Sequence, residues 1–566
     1  MKLRNIHIFL FGILILATLL RFVSLNRIPT GFIPEEVSTG WDAYSLLKTG
    51  RDEWGVRLPI IFRESGGFKL ALNSYLIVPV MAIFGVNEFA VRLPTAIAGV
   101  IAVWFTYLLT LELFRRQKVA LLAALLLAIS PWHVSMGRYA VDVNWGIPLF
   151  LLGTTLLLKA KTNQRLLLGG AVAFGLTYYT YFNYVVFTFL FLCGYFLWER
   201  RLWLTREKYK WVLILFIVQL ICLSPYIVSP NLTIRFRQAT SVSQIGFVNR
   251  INEHRHACSV YYQPVLCRTV YNRVTERALE FTRQYLNHFS TTVYFLYGSQ
   301  LGLSGMPDRW GLFYIIEFIF ILLGIVALFQ KKRWSSVIFL WLFLYAVPSS
   351  LAGEAHIWRM LTLLPLPQII MGLGLIALVD YLYLRYPHDF RSLGIQFAVS
   401  GAYLLLVLRF LVDYNAYFRF NQGSYSYFGF RDVYSYLKTI EKNYDYIVIA
   451  PHGLGFEQLY IYYLFYMQPD PRAYQQHQDV EWEVGPEGWV VVKRIGKWHF
   501  VSDVRDVVFS LPDKTLLVAD QTFREKEPLP QHVMLATPIT TINYPNGDIA
   551  FKILEFTKNP AYITPK

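Results

Sequence analysis

The sequence predicts a polytopic α-helical membrane protein followed by a small soluble α/β domain, and three observations predict it. Hydrophobic residues make up 55% of the 566-residue chain and charged residues only 16%, a balance too apolar for a soluble protein of this length. Apolar runs long enough to cross a bilayer recur, with basic residues punctuating every second connection. Beyond residue 412 the texture changes to mixed charge and short strand-like runs.

A crossing takes about 20 helical residues. Apolar runs fall near 7–25, 92–114, 119–137, 144–160, 166–183, 185–198, 211–228, 311–329, 335–352, 360–380 and 394–412, which gives about eleven spans. Lys2 and Arg4 precede an apolar run as in a signal peptide, but no cleavage site with small residues follows, so an uncleaved anchor is expected.

The short loops set the orientation. Arg115, Arg116 and Lys118 follow the second span, Lys159, Lys161 and Arg165 the fourth, and Arg200, Arg201, Arg206, Lys208 and Lys210 the sixth. Lys331, Lys332 and Arg333 follow the eighth, and Arg385 and Arg391 the tenth. The positive-inside bias puts these loops and the N-terminus in the cytoplasm of a plasma (inner) membrane protein. The first loop (26–91), the large loop 229–310 and the C-terminal domain then face outward. The same pattern accounts for the net charge of +16; basic residues spread over separate loops make no nucleic-acid footprint.

Residues 1–412 are therefore read as the transmembrane domain and 413–566 as an extracytoplasmic soluble domain. Strand-like runs at Tyr446–Ile449, Trp489–Val492 and Thr515–Val518 alternate with helical patterns near 430–442 and 455–467. That length suffices for one core, and it carries no Gly-rich phosphate loop or nucleophile elbow.

Chemistry collects at the outward boundary. Pro34-Glu35-Glu36 follows the first span, and the pattern Trp41, Tyr44, Leu46, Leu47 predicts an interfacial helix after it, with another over Leu72–Val80. Between spans three and four, Ser130-Pro131-Trp132-His133 leads to Arg138 and Asp142; between nine and ten, Gly353-Glu354-Ala355-His356 leads to Arg359. Each residue has a bland reading beside the chemical one. Glu36 is a second carboxylate or the cap of a helix N-terminus, and Arg138 and Asp142 are site residues or a polar hairpin tip. Arg359 grips a phosphate or snorkels, as Arg21 at the end of span one does unless it meets an anionic headgroup. Tyr178, Tyr179, Tyr181 and Tyr184 form an aromatic belt or a sugar-stacking wall.

Of four cysteines, Cys193 and Cys222 fall within spans. Cys258 and Cys267 share an outward loop, as a disulfide or as two thiols. Asn231-Leu232-Thr233 fits a glycosylation sequon. No metal-ligand spacing is legible among His254, His256 and His288, so no metal ligands are assigned and the cofactor is left open.

The pattern resembles the C superfamily of glycosyltransferases, membrane enzymes that use polyprenyl-phosphate-linked sugars. It is most similar to the branch of protein O-mannosyltransferases and lipid A aminoarabinose transferases. The likeness rests on Pro34-Glu35-Glu36, Phe68-Lys69-Leu70, Asn87-Glu88-Phe89-Ala90-Val91-Arg92-Leu93-Pro94, Ser130–His133 with Arg138 and Asp142, and His356–Pro365. The family's first-loop Asp, read as its base, is Glu35 here. Its Lys matches Lys69, without the usual prolines and with no preceding Glu, which in metal-binding relatives is a ligand.

The resemblance implies transfer of a sugar from a polyprenyl phosphate to a hydroxyl or similar group of a protein, lipid or glycan, with inversion. Glu35 or Glu36 would be the base and Asp142 would orient the acceptor or the base. Lys69, Arg138 and Arg359 would hold the phosphate, a task a divalent cation could share. The alternative is a lipid-linked-sugar flippase or transporter; transporters place their charges at mid-span and often carry repeats, whereas these charges lie at the boundary.

Overall fold

The computed structural model describes residues 3–64, 67–228, 245–298, 305–307, 309–330, 335–353, 356–386, 390–421, 427–451, 458–484, 490–504, 507, 511–521 and 534–558. The sequon at Asn231 and the pair Glu354-Ala355 lie outside them. The chain divides into two compact units. One comprises Met1–Val23, Thr95–Gly137 and Asp142–Phe410; the other comprises Ser24–Pro94, Arg138–Val141 and Leu411–Lys566.

The first unit is helical. Its N-terminal part contains α1 (Leu3–Phe22), most of α4 (Glu88–Phe114), α5 (Gln117–Ile129), α6 (Pro131–Met136), α7 (Val143–Lys159), α8 (Leu166–Thr177) and α9 (Phe182–Trp198); the numbers α2 and α3 belong to the second unit. Among the described residues five helices are long and apolar enough to cross a membrane: Asn5–Phe22, Glu88–Phe114, Tyr209–Tyr226, Leu366–Arg385 and Leu393–Asn421. Other expected spans are represented by shorter apolar helices.

Two of these show why they are short. The run expected at 119–137 breaks at Ser130, whose Oγ accepts from the His133 N–H while Pro131 opens α6; a proline is tolerated at a first helical position and not in an interior. The run at 335–352 is divided into Ser336–Leu344 and Ala346–Ala352.

Glycine permits close helix packing here. A Cβ on Gly324 would fall 2.1 Å from the Ile370 carbonyl oxygen, and one on Gly374 would fall 2.2 Å from that of Phe320. The helices Glu317–Gln330 and Leu366–Arg385 thus meet backbone to backbone, the small-residue packing that serves helices in lipid.

Arg21 does not snorkel. It is fully buried and donates to the carbonyls of Ala17 (3.0 Å), Ala128 (3.2 Å) and Leu127 (3.3 Å) and to His133 Nδ1 (2.7 Å). The carbonyls at the end of α5 have no partner within their helix, and they satisfy the guanidinium. Tyr178 and Tyr184 are buried as well, which excludes both from a lipid-facing belt. Cys258 and Cys267 form a disulfide between the helices Ile245–Ser259 and Pro264–Val270.

The second unit is built on a mixed seven-stranded sheet. The strands are β3 (Ile447–Ala450), β4 (Val480–Val484), β5 (Val490–Ile495), β6 (Trp498–Phe500), β7 (Thr515–Asp520), β8 (Met534–Asn543) and β9 (Ile549–Lys558), in the order β4-β5-β6-β3-β7-β9-β8. β3 runs parallel to β6 and β7, and the other pairs are antiparallel. Both faces of β3 are buried, as its run of apolar residues requires.

One face carries the helices Phe430–Ile440 and Leu459–Met467 and a core that also takes in Phe32, Val37, Trp41, Ile77, Met81 and Val91. The segment after α1 is therefore part of this unit's core. It folds as α2 (Pro34–Thr49), the hairpin β1 (Ile61–Glu64) and β2 (Gly67–Leu70), and α3 (Leu72–Phe84). Both expected short helices are present. The hairpin was not expected, although Gly66-Gly67 between two runs of alternating polarity is a turn signal.

Candidate active site

The site is assembled around the first turn of α2. Pro34 opens the helix and Glu36 occupies its third position, where a carboxylate faces unpaired N–H groups. Glu36 is fully buried. It accepts from the Ile33 N–H (3.4 Å), the Ala140 N–H (2.9 Å) and the Arg92 guanidinium through Nε (2.9 Å) and Nη2 (2.8 Å). Arg92 also donates to the carbonyls of Leu25, Pro29 and Gly31. Glu36 thus has both oxygens committed to the protein's own donors.

Glu35 points elsewhere. Its side chain is exposed in a small recess lined also by Pro34, Ser38, Glu64, Gln458, Tyr460 and Ile461. Although the recess is open, protein crowds around the carboxyl. That desolvation, reinforced by the charges of Glu64 and Glu36 and opposed by Lys69, raises its pKa to about 7.

Lys69 stands behind this recess. It is nearly buried, and its Nζ lies 2.9 Å from Asp42 Oδ2, 3.2 Å from Glu64 Oε1 and 2.5 Å from Ser38 Oγ. The hairpin explains the arrangement, because its register pairs Arg63 with Phe68 and Glu64 with Gly67. No Glu directly precedes Lys69 in the sequence, but Glu64 on the paired strand reaches its Nζ. The Lys69 ammonium occupies the space between these carboxylates that a cation would need. Among the described residues no group of three His, Cys, Asp or Glu could hold a metal ion, and the described residues around Lys69 do not fit one.

A second layer fixes Asp42. Its Oδ1 accepts from the Glu53 N–H at 3.0 Å, and the buried Glu53 Oε1 accepts from Tyr460 (2.8 Å) and Tyr474 (3.2 Å). Burial, then the Asp42 charge, pushes the Glu53 pKa up to about 8 against those two bonds. Burial also raises Asp42, against the pull of Lys69. Gln475 completes the clamp, donating to Ser45 Oγ, Thr49 Oγ1 and the Asp52 carbonyl.

The other expected site residues are placed differently. Arg138 is buried, donates to the Ile28 carbonyl (2.9 Å) and lies over the Tyr414 ring. Glu35, Glu36, Lys69 and Arg138 belong to the second unit, and Asp142 and Arg359 to the first. Asp142 precedes α7, its carbonyl accepting from the Trp145 N–H. Arg359 donates to the Ala352 carbonyl (3.3 Å), and its charge, after burial, holds the His356 pKa down to about 4. Arg92, Asp42, Glu53, Glu64 and the two tyrosines carried no role in the sequence reading. Only Arg92 had a signal, as part of the motif Asn87–Pro94 that carries the resemblance.

An exposed carboxyl poised near neutrality beside a caged ammonium suits proton abstraction next to a leaving anion. Residues 71–228 match the family model described as dolichyl-phosphate-mannose-protein mannosyltransferase. The match includes Arg138, Asp142 and Arg92, and stops short of Glu35, Glu36 and Lys69.

Among solved structures, the chain is similar to ArnT from Cupriavidus metallidurans bound to undecaprenyl phosphate. The identity is 13%, covering 96% of this chain and 97% of that one, with a TM-score of 0.50. It is also similar to the apo oligosaccharyltransferase of Archaeoglobus fulgidus, at 15% identity over 79% of this chain and a TM-score of 0.48. The match spans 63% of that protein, under two thirds of its length. No curated protein matches. The resemblance to C-superfamily membrane glycosyltransferases drawn from the sequence holds.

Proposed function

We propose that the chain is an integral membrane glycosyltransferase that moves a sugar from a polyprenyl-phosphate carrier to an acceptor hydroxyl. The observation that carries this reading is the juxtaposition of Glu35, exposed and with its pKa raised to about 7, with Lys69 and its carboxylate cage. The mannosyltransferase family match supports the donor class, and the undecaprenyl phosphate bound by the ArnT structure of similar fold suggests the carrier.

In this reading the Glu35 carboxylate takes the acceptor proton as its oxygen attacks the anomeric carbon. The bond to the lipid phosphate breaks, its electron pair goes to the departing phosphate, and direct attack inverts the centre. Lys69 faces the developing negative charge. Glu36 holds the first turn of α2 in place through Arg92, and Asp142, Arg138 and Arg359 remain candidates for orienting acceptor or phosphate. The positive-inside pattern supports a cytoplasmic N-terminus, about eleven crossings, and an outward site and C-terminal domain in the inner membrane.

The test is transfer from labelled polyprenyl-phosphate sugars by purified protein in lipid, wild type against Glu35→Gln. Turnover that vanishes in the folded variant is expected, and the labelled product identifies the acceptor. Unchanged turnover would move the base elsewhere. Lipid translocation without transfer from any donor would favour a flippase.

A further inference from the structure

We propose that the second unit carries a separate site for the phosphate of a membrane lipid headgroup, formed by Arg27 and Arg419. The two guanidiniums line an open pocket of about 220 Å³ together with Thr30, Tyr427, Phe428 and Asp432. None of these residues lines the Glu35 recess.

The arginines of this chain discriminate themselves by partner. Arg92 and Arg138 are spent on Glu36 and on backbone carbonyls, and Arg431, at the edge of the same pocket, pairs with Glu88. Arg27 and Arg419 are exposed and meet no acidic or carbonyl partner among the described residues. A forked guanidinium left without a carboxylate is suited to two-point contact with phosphate oxygens. The pocket is smaller than the roughly 300–1,000 Å³ that encloses a drug-sized ligand, a size that suits a headgroup.

Chain connectivity keeps both arginines near the ends of membrane-length helices. Arg27 is five residues beyond Phe22, where the first membrane-length helix ends, a reach of at most about 18 Å. Arg419 lies two residues before the end of the membrane-length helix Leu393–Asn421, about 3 Å of helical rise from it. Both side chains are long enough to meet the headgroup layer, which adds about 5–8 Å on each side of the hydrocarbon. Asp432, also exposed on the pocket wall, would face an amine where the headgroup carries one.

The test is independent of any transferase activity. Wild type and the Arg27→Gln/Arg419→Gln double variant are purified from vesicles containing phosphatidylethanolamine, phosphatidylglycerol and a phosphate-free glycolipid, and retained lipids are counted by native mass spectrometry. The expected result is a fivefold or greater loss of retained phospholipid in the variant, with glycolipid retention and melting temperature unchanged. A parallel titration with inorganic phosphate separates the sources. Phosphate binding that needs both arginines, without a change in retained lipid, would assign the pocket to free phosphate and overturn the lipid assignment. Equal retention and equal phosphate binding in both proteins would overturn the site altogether.

Discussion

Arg92 and Glu36 form a two-pronged ion pair in which both side chains are wholly buried, Nε to Oε1 at 2.9 Å and Nη2 to Oε2 at 2.8 Å. The pair joins α2 to the start of α4, 56 residues apart in sequence, and its spare donors gather the carbonyls of Leu25, Pro29 and Gly31. It holds the turn from which Glu35 projects.

Removing one partner strands the other's charge in the interior, a loss of about 3–5 kcal/mol. Arg92→Met and Glu36→Gln should each lower the melting temperature sharply. The double variant should recover part of the loss, because neither charge is then left alone. Additive losses in a thermal-shift cycle would contradict the coupling.

Glu35 must be ionised to accept a proton. Below about 7 the transfer rate should fall tenfold per pH unit, and above it the rate should level off. Glu35→Gln should lose about 10²–10⁴ of the rate. Glu64 raises the Glu35 pKa through its charge, so Glu64→Gln should move the midpoint of the pH–rate profile to lower pH. A midpoint that stays put in this variant would contradict that electrostatic link.

Lys69→Met should cost about 10²–10³ in turnover if the ammonium stabilises the departing phosphate. It should also destabilise the fold by leaving Asp42 buried without its cation. The Lys69→Met/Asp42→Asn pair separates the two effects: stability should return while turnover does not. Recovered turnover would reduce Lys69 to a purely structural role.

Glu53 holds its proton to about pH 8, against an ordinary value of 4.5. Between these values the folded chain binds a proton that the unfolded chain has released, so Glu53 makes stability fall as pH rises through that window. Glu53→Gln should flatten this part of the stability profile, measured by denaturant unfolding from pH 5 to 8.5. An unaltered slope would show that Glu53 is not the group responsible.

Much of this was legible from local pattern. Apolar runs gave the helices of the first unit, and the three strand-like runs each contain part of an observed strand, because a buried strand or span declares itself in its own residues. Glu35 was legible as a carboxylate just after the first span, whereas Lys69 was reachable only through the family resemblance. What surrounds them was not, because the contacts are distant: Glu53 meets Tyr460 across 407 positions and Tyr474 across 421. No spacing rule covers such pairs. The fate of Arg21 was misjudged for the same reason, its partners lying more than a hundred residues along the chain.

The shared core of the second unit also imposes a wait during synthesis. Tyr462, whose hydroxyl donates to the Phe32 carbonyl, follows it by 430 residues, which at about 5–20 residues per second is roughly 20–90 s of translation. Throughout that interval α2 and its apolar face exist without the sheet that will cover them. Nascent chains stalled before residue 459 should therefore present this segment to chaperones and proteases, and the Glu35 recess is completed only when Gln458, Tyr460 and Ile461 arrive.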